Sequence, residues 1–154
     1  MKNLLAFLLF FSGGATAQTD QCNPKKYAIE IFDYDYSSAY TISYRIVDDS
    51  LTITFLDGVV GGRDSCLVAK KISEGQSEEI NKFLSSLHFM ELKDKYENPY
   101  VNDGDQKMVR VCFGNKTKTI EINNIYQKDM ADLFALVNQA IDAAFRIHYK
   151  TEAR

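Results

Sequence analysis

Between Tyr27 and Gly58 the chain reads YAIEIFDYDYSSAYTISYRIVDDSLTITFLDG, three alternating segments separated by Ser37-Ser38 and Asp48-Asp49. Alternation of apolar and polar residues with a period of two is the mark of half-buried strands, and two close reversals make these strands antiparallel. A reversal at Ser37-Ser38 sets Ile31 opposite Tyr44, Ile29 opposite Ile46 and Glu30 opposite Arg45. A second at Asp48-Asp49 sets Ile46 opposite Leu51, Tyr44 opposite Ile53 and Ile42 opposite Phe55. All three strands then share one apolar face, which a slip of one residue would destroy. Ser-Ser and Asp-Asp are weak two-residue turns beside Asn-Gly, and a four-residue loop about the same centre keeps the same register.

The same parity sorts the tyrosines. Tyr40 and Tyr44 fall with Ile42, Ile46 and Phe55 on the apolar face, as core residues. Phe32 and Tyr34 fall on the opposite face beside Glu30, Thr41, Ser43, Arg45, Thr52 and Thr54, and Tyr36 continues that stripe into the turn.

Working outward, the glycine-rich connection DGVVGGRDS (57–65) leads to CLVAKKIS (66–73), a fourth strand of weaker alternation. Ser73 and Gln76 stand at capping-box spacing, and Ile80, Phe83, Leu84 and Leu87 fall at i, i+3, i+4 and i+7, predicting a core-facing helix. The segment from Glu91 to Gln106 is polar and rich in turn formers, with Pro99 and Asp103-Gly104 as breakers. KMVRVCFGNKTKTIEINNI (107–125) reads as a hairpin about Gly114-Asn115, with Val109 opposite Ile120 and Arg110 and Cys112 facing away from the apolar side. From Lys128 a long helix carries Met130, Leu133, Phe134, Val137, Ile141, Ala144 and Phe145 on one face, with Asp142 and Arg146 at i, i+4 spacing on the other. The expected order is β-β-β-β-α-β-β-α: an α+β domain in which an antiparallel sheet of about six strands carries two helices on one face.

The first residues, MKNLLAFLLFFSGGATA, set Lys2 before an apolar run and end in Ala15-Thr16-Ala17, the pattern of a secretory signal peptide cleaved after Ala17. The apolar run is far short of the ~20 residues that span a bilayer. The organisation read from the sequence is therefore a signal peptide over 1–17, an N-terminal tail over 18–26, one domain over 27–149 and a C-terminal tail over 150–154. Cleavage removes one lysine and no acid, leaving 137 residues with 17 basic and 21 acidic side chains and a net charge of −4. With no basic run or Lys/Arg stripe, nucleic acid is not an expected partner. Secretion places the chain outside the cell or in a periplasm, with no transmembrane segment after cleavage. Cys22, Cys66 and Cys112 then predict one disulfide and one spare thiol. Of three possible pairings, Cys66 with Cys112 is preferred, because both lie in expected strands and Cys22 lies near a terminus.

No nucleophile elbow, zinc-protease helix, phosphate loop or dinucleotide fingerprint is present. The histidines, His88 and His148, each fall near the C-terminal end of an expected helix, where an imidazolium suits the helix dipole. The acids Asp33, Asp35, Asp48, Asp49, Asp103 and Asp105 fall mainly at expected turns, where aspartate bonds locally, and Asn102-Asp103-Gly104-Asp105-Gln106 lacks the spacing of a calcium loop. No cofactor and no metal site is expected.

The stretch ISEGQSEEINKFLSSLHFMELKDKYENP (72–99), with Phe89, Leu92 and Tyr96 after the helix, an Asp-Gly turn, a hairpin and an amphipathic terminal helix, resembles small secreted or envelope-attached bacterial domains of unknown function. The likeness spans Tyr27 to Tyr149 and implies the fold and an envelope location without an activity. The expected function is a non-enzymatic protein-binding domain, of inhibitor, immunity-protein or envelope-adaptor type. It would engage another envelope or secreted protein through Phe32, Tyr34, Tyr36 and Arg45, since aromatic and arginine enrichment marks binding hot spots. Two alternatives are a small hydrolase or thiol enzyme whose cysteine or paired acids meet a histidine only in three dimensions, and a binder of a small apolar ligand between helices and sheet.

Overall fold

The computed structural model describes residues 24–35, 40–59, 62–101 and 104–149. The expected signal peptide, Cys22, Tyr36, the Ser37-Ser38 reversal, Asp103 and the C-terminal tail lie outside the described residues. The chain forms an α+β fold with one seven-stranded sheet: β1 (Tyr27–Asp35), β2 (Tyr40–Val47), β3 (Ser50–Asp57), β4 (Ser65–Lys71), α1 (Glu74–Ser86), β5 (Lys95–Glu97), β6 (Asp105–Phe113), β7 (Lys116–Asn123) and α2 (Lys128–Gln139). The spatial order is β4-β3-β2-β1-β6-β7-β5, so α1 carries the chain from one edge of the sheet to the other.

The registers of the first three strands are those the alternation required. Ile31 pairs with Tyr44 and Ile29 with Ile46, and Ile46 pairs with Leu51, Tyr44 with Ile53 and Ile42 with Phe55. The β2–β3 turn is the tight two-residue form despite its Asp-Asp sequence, with Val47 paired to Ser50. Asp48 takes a left-handed conformation (φ 55°), which aspartate tolerates better than most residues. Its carboxylate accepts hydrogen bonds from the backbone N–H groups of Lys25 (3.3 Å), Lys26 (2.7 Å) and Tyr27 (3.3 Å). The turn residue thereby fixes the start of β1.

The weak alternation of β4 has a local cause: the register shifts between Ile53 and Thr54, leaving Leu67 as an extra residue in a bulge. At the β6–β7 turn Gly114 (φ 56°) and Asn115 (φ 65°) are both left-handed, as a type I′ hairpin requires. The capping box at Ser73 and Gln76 is formed on both sides. The core joins Ile29, Ile31, Ile46, Leu51, Ile53, Val109, Val111, Ile120 and Ile122 of the sheet to Ile80 and Leu84 of α1 and Met130, Leu133, Phe134 and Val137 of α2. Both helices therefore lie on one face, and among the described residues the other face of the sheet carries none.

Three expectations are corrected. Within the polar segment, Lys95–Glu97 forms a seventh strand, which runs parallel to β7 and pairs Tyr96 with Ile122. The long terminal helix stops at Gln139, and a separate 3-10 turn follows at Ala143–Phe145. Asn138 causes the break: its side-chain amide donates to the Ile147 carbonyl (2.9 Å) and its oxygen accepts from the Ile147 N–H (2.8 Å). That clasp draws the chain back over the sheet, and Asp142 meets Lys70 at 3.3 Å rather than Arg146. Third, Tyr40 is not core; it is 39% exposed and stacks on Phe55 with ring centroids 5.1 Å apart. Among the described residues no helix is long and apolar enough to cross a membrane.

Candidate functional site

Two surfaces stand out, one on each side of the sheet. The first is the helix-free face. The pairings Phe32↔Ser43, Tyr34↔Thr41 and Glu30↔Arg45 on one side of β1, with Phe32↔Met108 and Glu30↔Arg110 on the other, put these residues on a common surface. Phe32 and Tyr34 are half-buried and stack with centroids 6.3 Å apart; Ser43 beside them is buried and Arg45 is exposed. Within the polar segment after α1, Lys95–Glu97 is held at the far edge of the sheet, and the segment's last residue, Gln106 in β6, pairs with Tyr34.

The disulfide expectation fails on this face. Cys66 pairs with Thr54 on the bulged edge strand, whereas Cys112 pairs with Ala28 in β1. Four strand spacings separate β4 from β6, roughly 19 Å, against about 7 Å between Cα atoms at most for a disulfide. Cys66 is a free, exposed thiol, and Cys112 is buried.

The second surface is a cleft of about 730 Å³ on the helix side, beyond the end of α2, roofed by Phe145, Arg146, His148 and Tyr149. Its floor holds three charged residues at positions where the strand parity calls for apolar ones. Asp33 follows Ile29 and Ile31 inward and pairs in register with Lys107, which precedes Val109 and Val111. The Lys107 side chain is 2% exposed, and its Nζ lies 2.8 Å from Asp33 Oδ1 and in contact with Asp105 Oδ1. The ammonium also sits over the Tyr149 ring, 5.9 Å from its centroid. Burial pushes the Asp33 carboxyl above its ordinary range, opposed by the attraction of Lys107. Burial likewise raises the Tyr44 phenol, and the Asp33 charge adds to the shift.

Tyr149 is fixed by its hydroxyl, which donates to the Ile125 carbonyl and accepts from the Gln127 N–H, both at 2.9 Å. Burial pushes its pKa up to about 12. Gly104 forms part of the wall with φ 116°, and a Cβ there would stand 2.7 Å from Asn124 Oδ1, so neither backbone nor space admits a side chain.

The cleft thus brings Asp33 and Asp105 together with His148, the juxtaposition an enzyme assembled in three dimensions would need. Cys66 does not line it. His148 lies outside any helix and is exposed rather than continuing a helical stripe, and His88 follows α1 at the start of the 3-10 turn Phe89–Glu91. The sequence reading missed Lys107 and treated Asp33 and Asp105 as turn acids. The available signal was parity, since Asp33 and Lys107 each occupy an inward position of an otherwise apolar alternation. No known family model matches the chain, and no curated protein matches it.

Proposed function

We propose that this is a secreted or periplasmic, non-enzymatic binding domain that engages another envelope or secreted protein through the helix-free face of its sheet. The observation that carries the reading is the stacked Phe32–Tyr34 pair on β1, the middle strand of a face on which the described residues place no helix. Half-buried rings ringed by Ser43, Thr41 and Thr54 provide a rigid apolar centre with a polar rim, the anatomy of a recognition surface. The exposed Arg45 guanidinium offers a fork for a carboxylate of the partner. The signal-like residues 1–17 and the resemblance to envelope domains supply the location.

Phe32→Ala and Tyr34→Ala variants of the mature chain test the reading, in parallel affinity capture from the native envelope fraction and thermal unfolding. Loss of a captured partner with nearly unchanged melting supports it. Undiminished capture overturns it, and a large drop in melting temperature assigns the two rings to a second core.

A second reading, a hydrolase, is favoured only by the shared cleft of Asp33, Asp105 and His148. Against it, both carboxylates hold the Lys107 ammonium, so neither is a free base. A His148→Ala variant that leaves any hydrolytic activity of the purified protein unchanged disposes of it.

A further inference from the structure

The cleft beyond the end of α2 shares Tyr34 with the helix-free face but differs from it in chemistry. Its floor carries one ammonium and two carboxylates. The ammonium is sealed from the interior space, with the Lys107 side chain 2% exposed, whereas the Asp33 and Asp105 side chains keep 23% and 20% of their surface. Whatever occupies the cleft meets carboxylate oxygen and a net floor charge of −1. The walls are aromatic: Tyr40, Tyr44, Phe145 and Tyr149. Tyr149 spends its hydroxyl on backbone partners and offers its ring, whose face is electron-rich. Arg146 and His148 stand exposed at the mouth, where water and salt screen the Arg146 charge.

We propose that this cleft binds a small organic ammonium ion carried on an apolar body, the ammonium directed to Asp33 and Asp105 and the body packed between the tyrosine and phenylalanine rings. An anionic ligand would bring like charge to the floor. A neutral apolar ligand would strip water from two carboxylates with nothing in exchange. A cation satisfies the carboxylates and gains from the ring faces as well. The volume of about 730 Å³ falls within the usual range for small-molecule sites.

The test is a titration of the mature chain, followed by NMR of the tyrosine and phenylalanine rings, with three probes on one skeleton: phenethylamine, phenethyl alcohol and phenylacetate. The amine is expected to bind saturably and about tenfold more tightly than the alcohol, with phenylacetate weakest. Asp105→Asn is expected to bring the amine-to-alcohol ratio close to one. Phe145→Ala lies outside the ion cluster and is expected to weaken the amine about fivefold, which keeps a variant available if Asp105→Asn does not fold. The proposal is overturned if no probe saturates at about 10 mM, if the alcohol or phenylacetate binds as tightly as the amine, or if folded Asp105→Asn keeps the cation preference.

Discussion

Replacing Lys107 by Met removes the ammonium while keeping the length of the side chain, and leaves Asp33 and Asp105 facing each other without a counter-charge. Deleting one member of a buried ion pair costs about 3–5 kcal/mol. Here the aspartates retain 23% and 20% exposure, so solvent relieves part of that cost, and loss of the contact with the Tyr149 ring adds back a fraction. The expected loss at pH 7 is about 2–4 kcal/mol, read from urea unfolding followed by circular dichroism. The pH dependence identifies the cause. Burial already raises the Asp33 carboxyl above its ordinary 3.8, and Lys107 is its main opposing influence. Without the lysine the folded-state value rises further above the unfolded one. Such a group favours the fold below the unfolded value and loses that contribution as pH rises through the folded value. The gap between wild type and variant should therefore be small near pH 4 and widest at pH 7. A triple change, Asp33→Asn, Lys107→Met and Asp105→Asn, should recover at least half of the loss, since a neutral cluster has no charge to desolvate. A loss under about 1 kcal/mol at pH 7, or one equal at both pH values, refutes the electrostatic account of the cleft floor.

Three further outcomes are expected. Asp48→Ala removes an acceptor of three backbone N–H groups and places a Cβ-bearing residue without a polar side chain at φ 55°; urea unfolding should show a loss of about 2–3 kcal/mol, and Asp48→Asn should lose less than half as much. Above pH 10 the fold should weaken, because Tyr149 titrates at about 12 rather than 10.0: its protonated form is favoured in the fold, so stability is intact below 10 and falls by about 2 kcal/mol as pH approaches 12, an effect that Tyr149→Phe should reduce in alkaline unfolding curves. Native alkylation of protein secreted into an oxidising compartment, followed by non-reducing peptide mapping, should find Cys66 modified and a crosslinked peptide joining Cys22 to Cys112; a Cys66–Cys112 crosslink would contradict the separation of β4 from β6.

The parts of the fold legible in the sequence are those encoded by periodicity over neighbouring segments. The registers of β1 to β3 followed from alternation and from two reversals, because the penalty for a one-residue slip is borne by every side chain of the strand. The β6–β7 hairpin followed from Gly114-Asn115, whose left-handed conformations few other pairs adopt so readily. The pairing of β1 with β6 was not legible, since it joins Tyr27 to Phe113 across most of the chain and no local pattern records it. Without that pairing, the inward positions of Asp33 and Lys107 were two isolated exceptions rather than one ion pair. The disulfide expectation failed for the same reason: proximity of cysteines depends on strand order, and strand order is a property of the whole sheet. β5 escaped notice because three residues, KYE, are too few to alternate.

The end of α2 shows how a local departure from pattern creates a site. The apolar spacing through Ile141, Ala144 and Phe145 favours one continuous helix, and Ile141 is indeed buried although it lies beyond the helix. Asn138 overrides that preference by supplying both a donor and an acceptor to Ile147, so the chain after Gln139 gives up helical hydrogen bonds and recovers two with a segment running back across the sheet. Phe145, Arg146, His148 and Tyr149 consequently roof the inner ends of β1 and β6, where Asp33 and Lys107 stand. A continuous helix would carry these residues away along its own axis, and Lys107 would lose its contact with the Tyr149 ring. The charged floor and the aromatic roof therefore depend on one another. The buried lysine requires a cover that excludes water without withdrawing the two carboxylates, and the C-terminal segment provides that cover because Asn138 ends the helix where it does.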